Sequence, residues 1–212
     1  MIIAKQARSR ATEEAILEAA ESLLAGRSFD DLSITTIADE AGVSVGGFYA
    51  RFASKDALLD ALHRRYQERR TARLVGALHA ARQMVSTAER VRALVTAIVD
   101  LMSDERHVLR TMLLRYWSEP DAVTPQFSER LEELYGDARR ILLVDRDRMR
   151  VDDPDEAARA AIGIVMAACR DILVMKRESH PGHPRLGREA MTEHLTRATL
   201  AVLGLADEGG TA

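Results

Sequence analysis

Apolar residues recur along most of the chain at the three- and four-residue spacing of an amphipathic helix. The first stripe runs from Ile16 to Leu24; it follows Thr12, a residue type that favours helix N-caps, and it stops near Gly26, which predicts a C-terminal cap. Later breaks in the pattern predict helices over residues 34–41, 45–52, 55–78, 85–103, 106–117, 126–148, 154–178 and 186–203. The pattern therefore predicts an all-α architecture in which three short helices precede a bundle of longer ones.

The composition agrees with a helical protein and excludes several other classes. The 212 residues are 47% hydrophobic and only 4% aromatic, and Ala, Leu, Arg and Glu dominate. No apolar run reaches the ~20 residues that span a bilayer, and the first residues lack the apolar stretch of a secretory signal. A single cysteine, Cys169, excludes a disulfide framework and an all-cysteine metal site. We expect a soluble helical protein located in the cytoplasm.

Two of the short predicted helices have the pattern of a helix-turn-helix. Ser33 and Ser44 are suitable N-caps for them, Gly42 can adopt the left-handed conformation of the turn, and the small Ala38 allows a close helix crossing. We expect the pair to be held together by Ile37, Val43 and Phe48. The second helix then directs its other residues outward, toward a major groove: Val45, Gly46, Gly47, Tyr49 and Arg51.

The ordered residues of this segment resemble the TetR family of bacterial transcriptional regulators over residues 12–62. The matching residues are Thr36-Ile37-Ala38, Ala41-Gly42-Val43-Ser44, Gly46, Phe48-Tyr49, Phe52, Ser54-Lys55-Asp56 and Leu58. The resemblance implies a DNA-binding domain at residues 1–54 and a helical ligand-binding and dimerisation domain at residues 55–212. The alternative interpretation of residues 33–58 is a compact three-helix module that binds another protein or nothing.

The resemblance also implies roles in DNA binding for individual side chains. Thr35 and Thr36 would approach the DNA backbone or a base edge, and Tyr49 would donate a hydrogen bond to a phosphate. Arg51 would contact a guanine or a phosphate, and Lys55 would bind a phosphate. The first residues of the recognition helix would enter the groove: Ser44, Val45, Gly46 and Gly47.

The two adjacent glycines of the recognition helix support a close approach of its backbone to another molecule. Gly46 and Gly47 each cost the helix about 1 kcal/mol relative to alanine. DNA is one candidate for the approaching surface, and tight packing between helices is the other.

The net charge of −3 argues against a globally basic nucleic-acid-binding surface, so DNA binding would depend on a local basic edge.

The chain lacks the residue patterns of catalysis and of metal or cofactor binding. No nucleotide-binding glycine loop, nucleophile elbow or zinc-protease motif is present, so we expect neither an enzyme nor a cofactor. His180 and His183 lie in a Pro/Gly-rich break without further ligands at a suitable spacing, and we interpret them as loop residues.

The middle and C-terminal helices suggest a ligand pocket and a dimer interface. Met and aromatic residues there favour a pocket with a polar edge formed by Tyr66 and Arg170, although such residues are more often ordinary core. The other pocket candidates are Met102, Met112, Tyr116 and Trp117. The helices near 154–178 and 186–203 are rich in apolar residues; they fit a homodimer interface or burial within a monomer.

The sequence thus predicts a ligand-responsive transcriptional regulator, in the manner of a TetR-family repressor. As a homodimer it would bind a palindromic DNA operator and be released by a small-molecule effector. The alternative is a helical small-molecule-binding or protein-interaction module without DNA-binding function.

Overall fold

The computed structural model describes residues 2–118, 125–175 and 186–205. Within these ranges the chain forms nine α-helices and no β-strand, which confirms the predicted all-α class. The helices are α1 (Ile2–Leu24), α2 (Ile34–Glu40), α3 (Val45–Tyr49), α4 (Lys55–Arg82), α5 (Thr87–Asp104), α6 (Arg106–Ser118), α7 (Pro125–Leu142), α8 (Pro154–Cys169) and α9 (Arg188–Val202).

The first helix begins earlier than its apparent cap predicted. Thr12 lies inside α1, and its hydroxyl donates to the carbonyl of Arg8 four residues earlier, at 3.0 Å. A threonine side chain can bond to a preceding carbonyl within a helix as well as cap its start, so the predicted N-cap was wrong. At the other end α1 stops at Leu24 through short-range turns, and Gly26 does not adopt a positive φ.

Two long predicted helices change their hydrogen-bonding pattern before the predicted end. After α7, residues 143–148 form a 3₁₀ segment in which Asp145 has non-helical angles. The Asp145 carboxylate accepts hydrogen bonds from Thr87 and Arg90 of α5, a long-range contact that a local pattern does not encode. After α8, residues 170–174 form a π-helical turn. Residues 176–178 of that predicted helix lie outside the described residues.

The chain divides into two compact units that a linear reading does not separate. The first contains residues 2–68 and 107–118, and the second contains residues 69–106, 125–175 and 186–205. Helix α4 contributes residues to both units, and α6 joins the first unit except for its initial Arg106. The predicted boundary between residues 54 and 55 stays a prediction.

The first unit is built around the apolar stripe that begins the sequence. Ile16 and Ala20 of α1 are fully buried, as are Ile37 of α2 and Leu62 of α4. Arg65 adds a polar contact between helices, because its guanidinium faces three carboxylates spaced along one side of α1. These belong to Glu14 at 2.8 Å, Glu21 at 3.7 Å and Glu18 at 3.9 Å.

The second unit packs α5 against α9 and α8. Val91 and Val99 of α5 are fully buried, and Met191 and Leu195 of α9 are almost completely buried. Cys169, at the end of α8, is also fully buried, and this burial raises the pKa of its thiol to about 12. The apolar residues of α9 are therefore largely used within the chain itself.

Candidate nucleic-acid interface

Two serine caps define the start of each short helix in the segment from 33 to 49. Ser33 Oγ accepts a hydrogen bond from the Thr36 amide at 3.0 Å and lies 2.8 Å from the Thr36 hydroxyl oxygen. Ser44 Oγ accepts from the Gly47 amide, also at 3.0 Å. Both serines have the extended backbone angles of an N-cap, as the sequence predicted.

The turn between these helices depends on one glycine. Gly42 has a φ of +66°, a conformation that other residues resist. Its amide donates to the carbonyl of Asp39 at 3.1 Å, and the next amide, of Val43, donates to the carbonyl of Ala38 at 2.9 Å. These two bonds form a Schellman motif, which ends α2 and redirects the chain into α3. The predicted left-handed glycine is confirmed.

The inner faces of α2 and α3 form the core of the motif. Ile37, Ala38 and Phe48 are fully buried, and Val43 is half-buried beside them. The Phe48 ring lies 5.7 Å from that of Phe52, in the range of favourable aromatic pairs. Because α3 buries Phe48, the opposite side of this five-residue helix is left accessible.

The outward side carries most of the residues predicted to contact DNA. Val45 is 40% exposed and Tyr49 is 53% exposed. Thr35, Ser44, Gly46 and Arg51 are exposed, whereas Thr36, Gly47 and Lys55 are half-buried. The structure thus brings these residues together on one unit, around α3 and the start of α2 and α4.

The two glycines of α3 are not required by contacts within the described chain. A Cβ atom added to Gly46 would lie 3.8 Å from Ser44 Oγ, its nearest neighbour. A Cβ added to Gly47 would lie 3.4 Å from the same oxygen and 3.6 Å from the Val43 Cβ. These are ordinary contacts, and neither glycine has a positive φ. Tight packing between helices therefore does not account for this pair.

The two cationic side chains predicted for the interface, Lys55 and Arg51, both form contacts within the chain. Lys55 Nζ donates to the carbonyl oxygen of Asp30 at 3.0 Å and lies 4.8 Å above the centre of the Phe29 ring. Arg51 donates to the adjacent carbonyl of Ala50 at 3.0 Å. Asp30 and Phe29 were missed by sequence reasoning, because a backbone carbonyl 25 residues away leaves no signal in a residue pattern.

This arrangement of helices is similar to that of known regulatory proteins. A sequence model of the family described as "Bacterial regulatory proteins, tetR family" matches residues 16–62, which run from α1 through α2 and α3 into α4. Residues 16–62 therefore form a DNA-binding segment of the TetR-family type. It is also 41% identical over 54 residues to an uncharacterized HTH-type transcriptional regulator, YwcC, of Bacillus subtilis (strain 168). That match covers 26% of the chain and only 24% of the relative.

Solved TetR-type structures resemble the chain over nearly its whole length. A TetR-family regulator from Mesorhizobium loti MAFF303099 has a TM-score of 0.68 at 18% identity, covering 92% of this chain and 98% of its own. PfmR of Thermus thermophilus has a TM-score of 0.62 at 20% identity, covering 91% and 99% respectively. At these identities the likeness concerns the fold alone.

The residues predicted to bind an effector are divided between the two units of the chain. Tyr66 and Met112 are buried in the first unit, where Tyr116 is half-buried and Trp117 is 61% exposed. The other two predicted residues belong to the second unit: Met102 is buried and Arg170 is exposed. Their role in effector binding stays a prediction.

A polar cluster in the first unit surrounds one of these residues. The Tyr116 hydroxyl shares a hydrogen bond with His63 Nε2, and Gln67 Nε2 lies 2.7 Å from the same nitrogen. Sequence reasoning missed His63, although its position one helical turn before Tyr66 on α4 was a usable signal. The cluster fixes the direction of the Tyr116 hydroxyl within the first unit.

The second unit contains a cleft elsewhere. Its volume is about 410 Å³, and none of the predicted effector-binding residues lines it. Its lining residues are Thr87, Ala88, Asp147, Arg148, Met149, Arg150, Leu200, Gly204 and Leu205.

Tyr135 of the same unit lies near Arg70 and Arg170. Burial raises the pKa of its hydroxyl, and the two guanidinium groups oppose that shift.

Neither a metal site nor a membrane-spanning helix occurs in the described ranges 2–118, 125–175 and 186–205. No group of three His, Cys, Asp or Glu side chains there is arranged to hold a metal ion. None of the helices in these ranges combines the length and apolar character needed to cross a membrane. His180 and His183, interpreted from the sequence as loop residues, lie outside the described residues.

Proposed function

We propose that this chain is a transcriptional repressor that binds a palindromic operator in the cytoplasm as a homodimer and is released by a small molecule. The observation that carries the proposal is the outward face of α3, which is accessible and has two glycines that the chain does not need for its own packing. A recognition helix of this kind enters the major groove, where its backbone can approach the bases closely.

We propose that the flanking polar side chains position α3 by contacting phosphates. Tyr49 is exposed and keeps a hydroxyl group that can donate to a phosphate oxygen. Lys55 has two further ammonium hydrogens beyond the one directed at Asp30, so a phosphate can bind without displacing that contact. Arg51 and the threonines 35 and 36 complete the proposed contact surface.

A homodimer is proposed because an operator with two half-sites requires two recognition helices about 34–36 Å apart, or a multiple of this distance. Helix α8 offers an apolar stripe for the contact at spacings of three and four residues. It consists of Ala160, Gly163, Ile164 and Ala167, all of which are exposed. The buried apolar residues of α9 are not available, so we assign its part of the contact to smaller residues such as Ala198 and Ala201.

We propose that the effector releases the protein from DNA because it binds more tightly to a conformation that cannot bind the operator than to the conformation that can. A ligand can shift that equilibrium only by its differential affinity, which typically couples two sites by about 1–3 kcal/mol. We retain the six predicted residues as proposed effector contacts. Tyr116 is the polar contact we favour, because its hydroxyl already belongs to the cluster with His63 and Gln67.

The test is a selection of genomic DNA fragments with the purified full-length chain at physiological salt, followed by sequencing of the retained DNA. We expect one palindromic motif whose half-sites are separated by a whole number of helical turns. Tyr49→Phe is the matched variant, since it removes the hydroxyl but keeps the edge-to-face contact of the ring with buried Phe48, and it should recover the motif poorly. Retention of no motif by the folded wild-type protein would favour a ligand-binding or protein-interaction module instead.

A further inference from the structure

We propose that α3 recognises its operator through an apolar contact between Val45 and the C5-methyl group of a thymine, rather than through a hydrogen-bonding side chain. This inference rests on the proposed function and specifies which base the recognition helix selects. It depends on two properties of the accessible side of α3: an exposed apolar side chain, and the absence of a hydrogen-bonding side chain in the first turn.

The accessible side of α3 consists of very small residues with one larger apolar residue beside them. Phe48 is fully buried, and at 100° per residue Gly46 and Ala50 lie nearly opposite to it. Both are exposed, and Gly47 is half-buried on the flank. Val45 lies on one flank of this ridge at the start of the helix, and Tyr49 follows on the same flank one turn later, so Val45 is the apolar side chain that the first turn offers to an approaching surface.

The side chains that cap the two short helices form hydrogen bonds within the chain, and the polar side chain of α3 lies at the far end of that helix. Ser44 Oγ accepts the Gly47 amide, and the Thr36 hydroxyl is 2.8 Å from Ser33 Oγ. Within α3 itself the sequence VGGFY contains one polar side chain, that of Tyr49. The first turn of this helix thus has no side chain that could form the bidentate contacts by which guanine and adenine are usually read.

Thymine is the base whose major-groove edge carries an apolar group, its C5-methyl. Val45 is 40% exposed, so its methyl groups can be buried against that group when water leaves the interface. The glycines let the backbone come close enough for this short side chain to reach the base edge. Apolar complementarity therefore favours thymine opposite Val45.

The experiment measures binding of the full-length protein to the selected operator by fluorescence anisotropy. Each thymine of one half-site is replaced in turn by deoxyuridine, which lacks only the methyl group. We expect one thymine whose replacement weakens binding about fourfold, as expected for one buried methyl group. With Val45→Ala, the same replacement should change the affinity less than about 1.5-fold, because the methyl has lost its partner.

Val75→Ala is the matched control, since Val75 is an exposed valine of α4, and it should keep the full sensitivity to uracil. Thermal melting of each variant verifies that it is folded. The inference is overturned when no thymine is sensitive, or when the sensitive thymine is equally sensitive in Val45→Ala. An insensitive operator overturns only this inference, whereas failure of the wild-type protein to select any motif overturns the proposed function together with it.

Discussion

Helices α3 and α8 both present small residues to solvent, but their surroundings differ. On α3 the exposed ridge of Gly46 and Ala50 is bordered by the Tyr49 hydroxyl and the Arg51 guanidinium. On α8 the exposed stripe contains Ile164, which is 46% exposed, and it continues over two helical turns without a polar side chain in its line. The first face suits a polar, anionic surface approached closely, and the second suits another apolar surface.

Small residues alone therefore do not identify the partner of a helix face. A glycine or alanine permits close approach, and the groups beside it determine what is allowed to approach. We therefore expect the two faces to respond oppositely to charge, salt and added volume.

The largest effect is expected from Ile164→Asp on α8. A carboxylate in an apolar contact between two copies is desolvated without a partner, so the dimer should dissociate. Operator affinity should then fall about 100-fold or more, because the two half-sites are no longer bound together. Analytical ultracentrifugation and anisotropy titrations measure the two effects. Val144→Asp, at a residue 61% exposed outside α8, is the matched control and should change neither; a dimeric Ile164→Asp protein would contradict the assignment of α8.

The second largest effect is expected from Gly46→Ala on α3, which should raise the stability of the fold but lower the affinity for the operator. Gly46→Ala meets only ordinary contacts within the chain, so it should stabilise the fold by about 0.5–1 kcal/mol. The added methyl group should nevertheless weaken operator binding about 10-fold or more, because it prevents the close approach to DNA. Chemical denaturation and anisotropy measure the two quantities.

Gly76→Ala is the control for this separation. Gly76 is an exposed glycine of α4 with no atom within 4 Å of an added Cβ, and its replacement should stabilise the fold without changing DNA affinity. Unchanged operator affinity in Gly46→Ala would show that the backbone of α3 does not approach the bases closely.

A smaller effect is expected from salt, which should weaken DNA binding through α3 but not association through α8. Binding through α3 and its flanking cations should weaken as salt rises, whereas apolar association through α8 should not. Lys55→Ala should reduce the slope of log affinity against log salt by about one, since one phosphate contact is lost. Arg146→Ala, which removes an exposed cation of the second unit, should leave the slope unchanged. An unchanged slope in Lys55→Ala would exclude its phosphate contact.

The smallest effect concerns the buried side of α8. Burial raises the pKa of the Cys169 thiol to about 12, so the native protein should react very slowly with a thiol-specific reagent at pH 8 and rapidly once unfolded. Because the folded pKa is raised, the stability contributed by the protonated thiol is present below the unfolded pKa and is lost as pH rises toward about 12. Rapid labelling of the native protein would place Cys169 on an accessible side of α8 instead.

Much of the candidate interface was predictable because it is encoded over a few neighbouring residues. Ser33 and Ser44 cap the helices that follow them, and Gly42 supplies the turn between these helices. Asp153 likewise caps α8 immediately before Pro154, as its sequence indicates. In each case the bonding partners lie within five residues, so the local sequence contains the whole interaction.

Other features required partners that are distant in the sequence. Lys55 is held by a carbonyl oxygen of Asp30, and the contact of Asp145 with Arg90 accompanies the end of the regular helix after α7. The apolar residues of the last helix could have faced a second copy, but packing against α5 buries them within the chain.

The local sequence pattern therefore specifies the helical class, the helix-turn-helix with its caps and left-handed glycine, and the match of residues 16–62 to the TetR family. Packing of the folded chain determined which sides of α8 and α9 are buried, that α6 joins the first unit, and that the space beside the glycines of α3 admits a Cβ atom. The physical reason is the range of the interactions. Caps and turns are closed by neighbouring backbone groups, whereas burial depends on surfaces that meet only when the whole chain has folded.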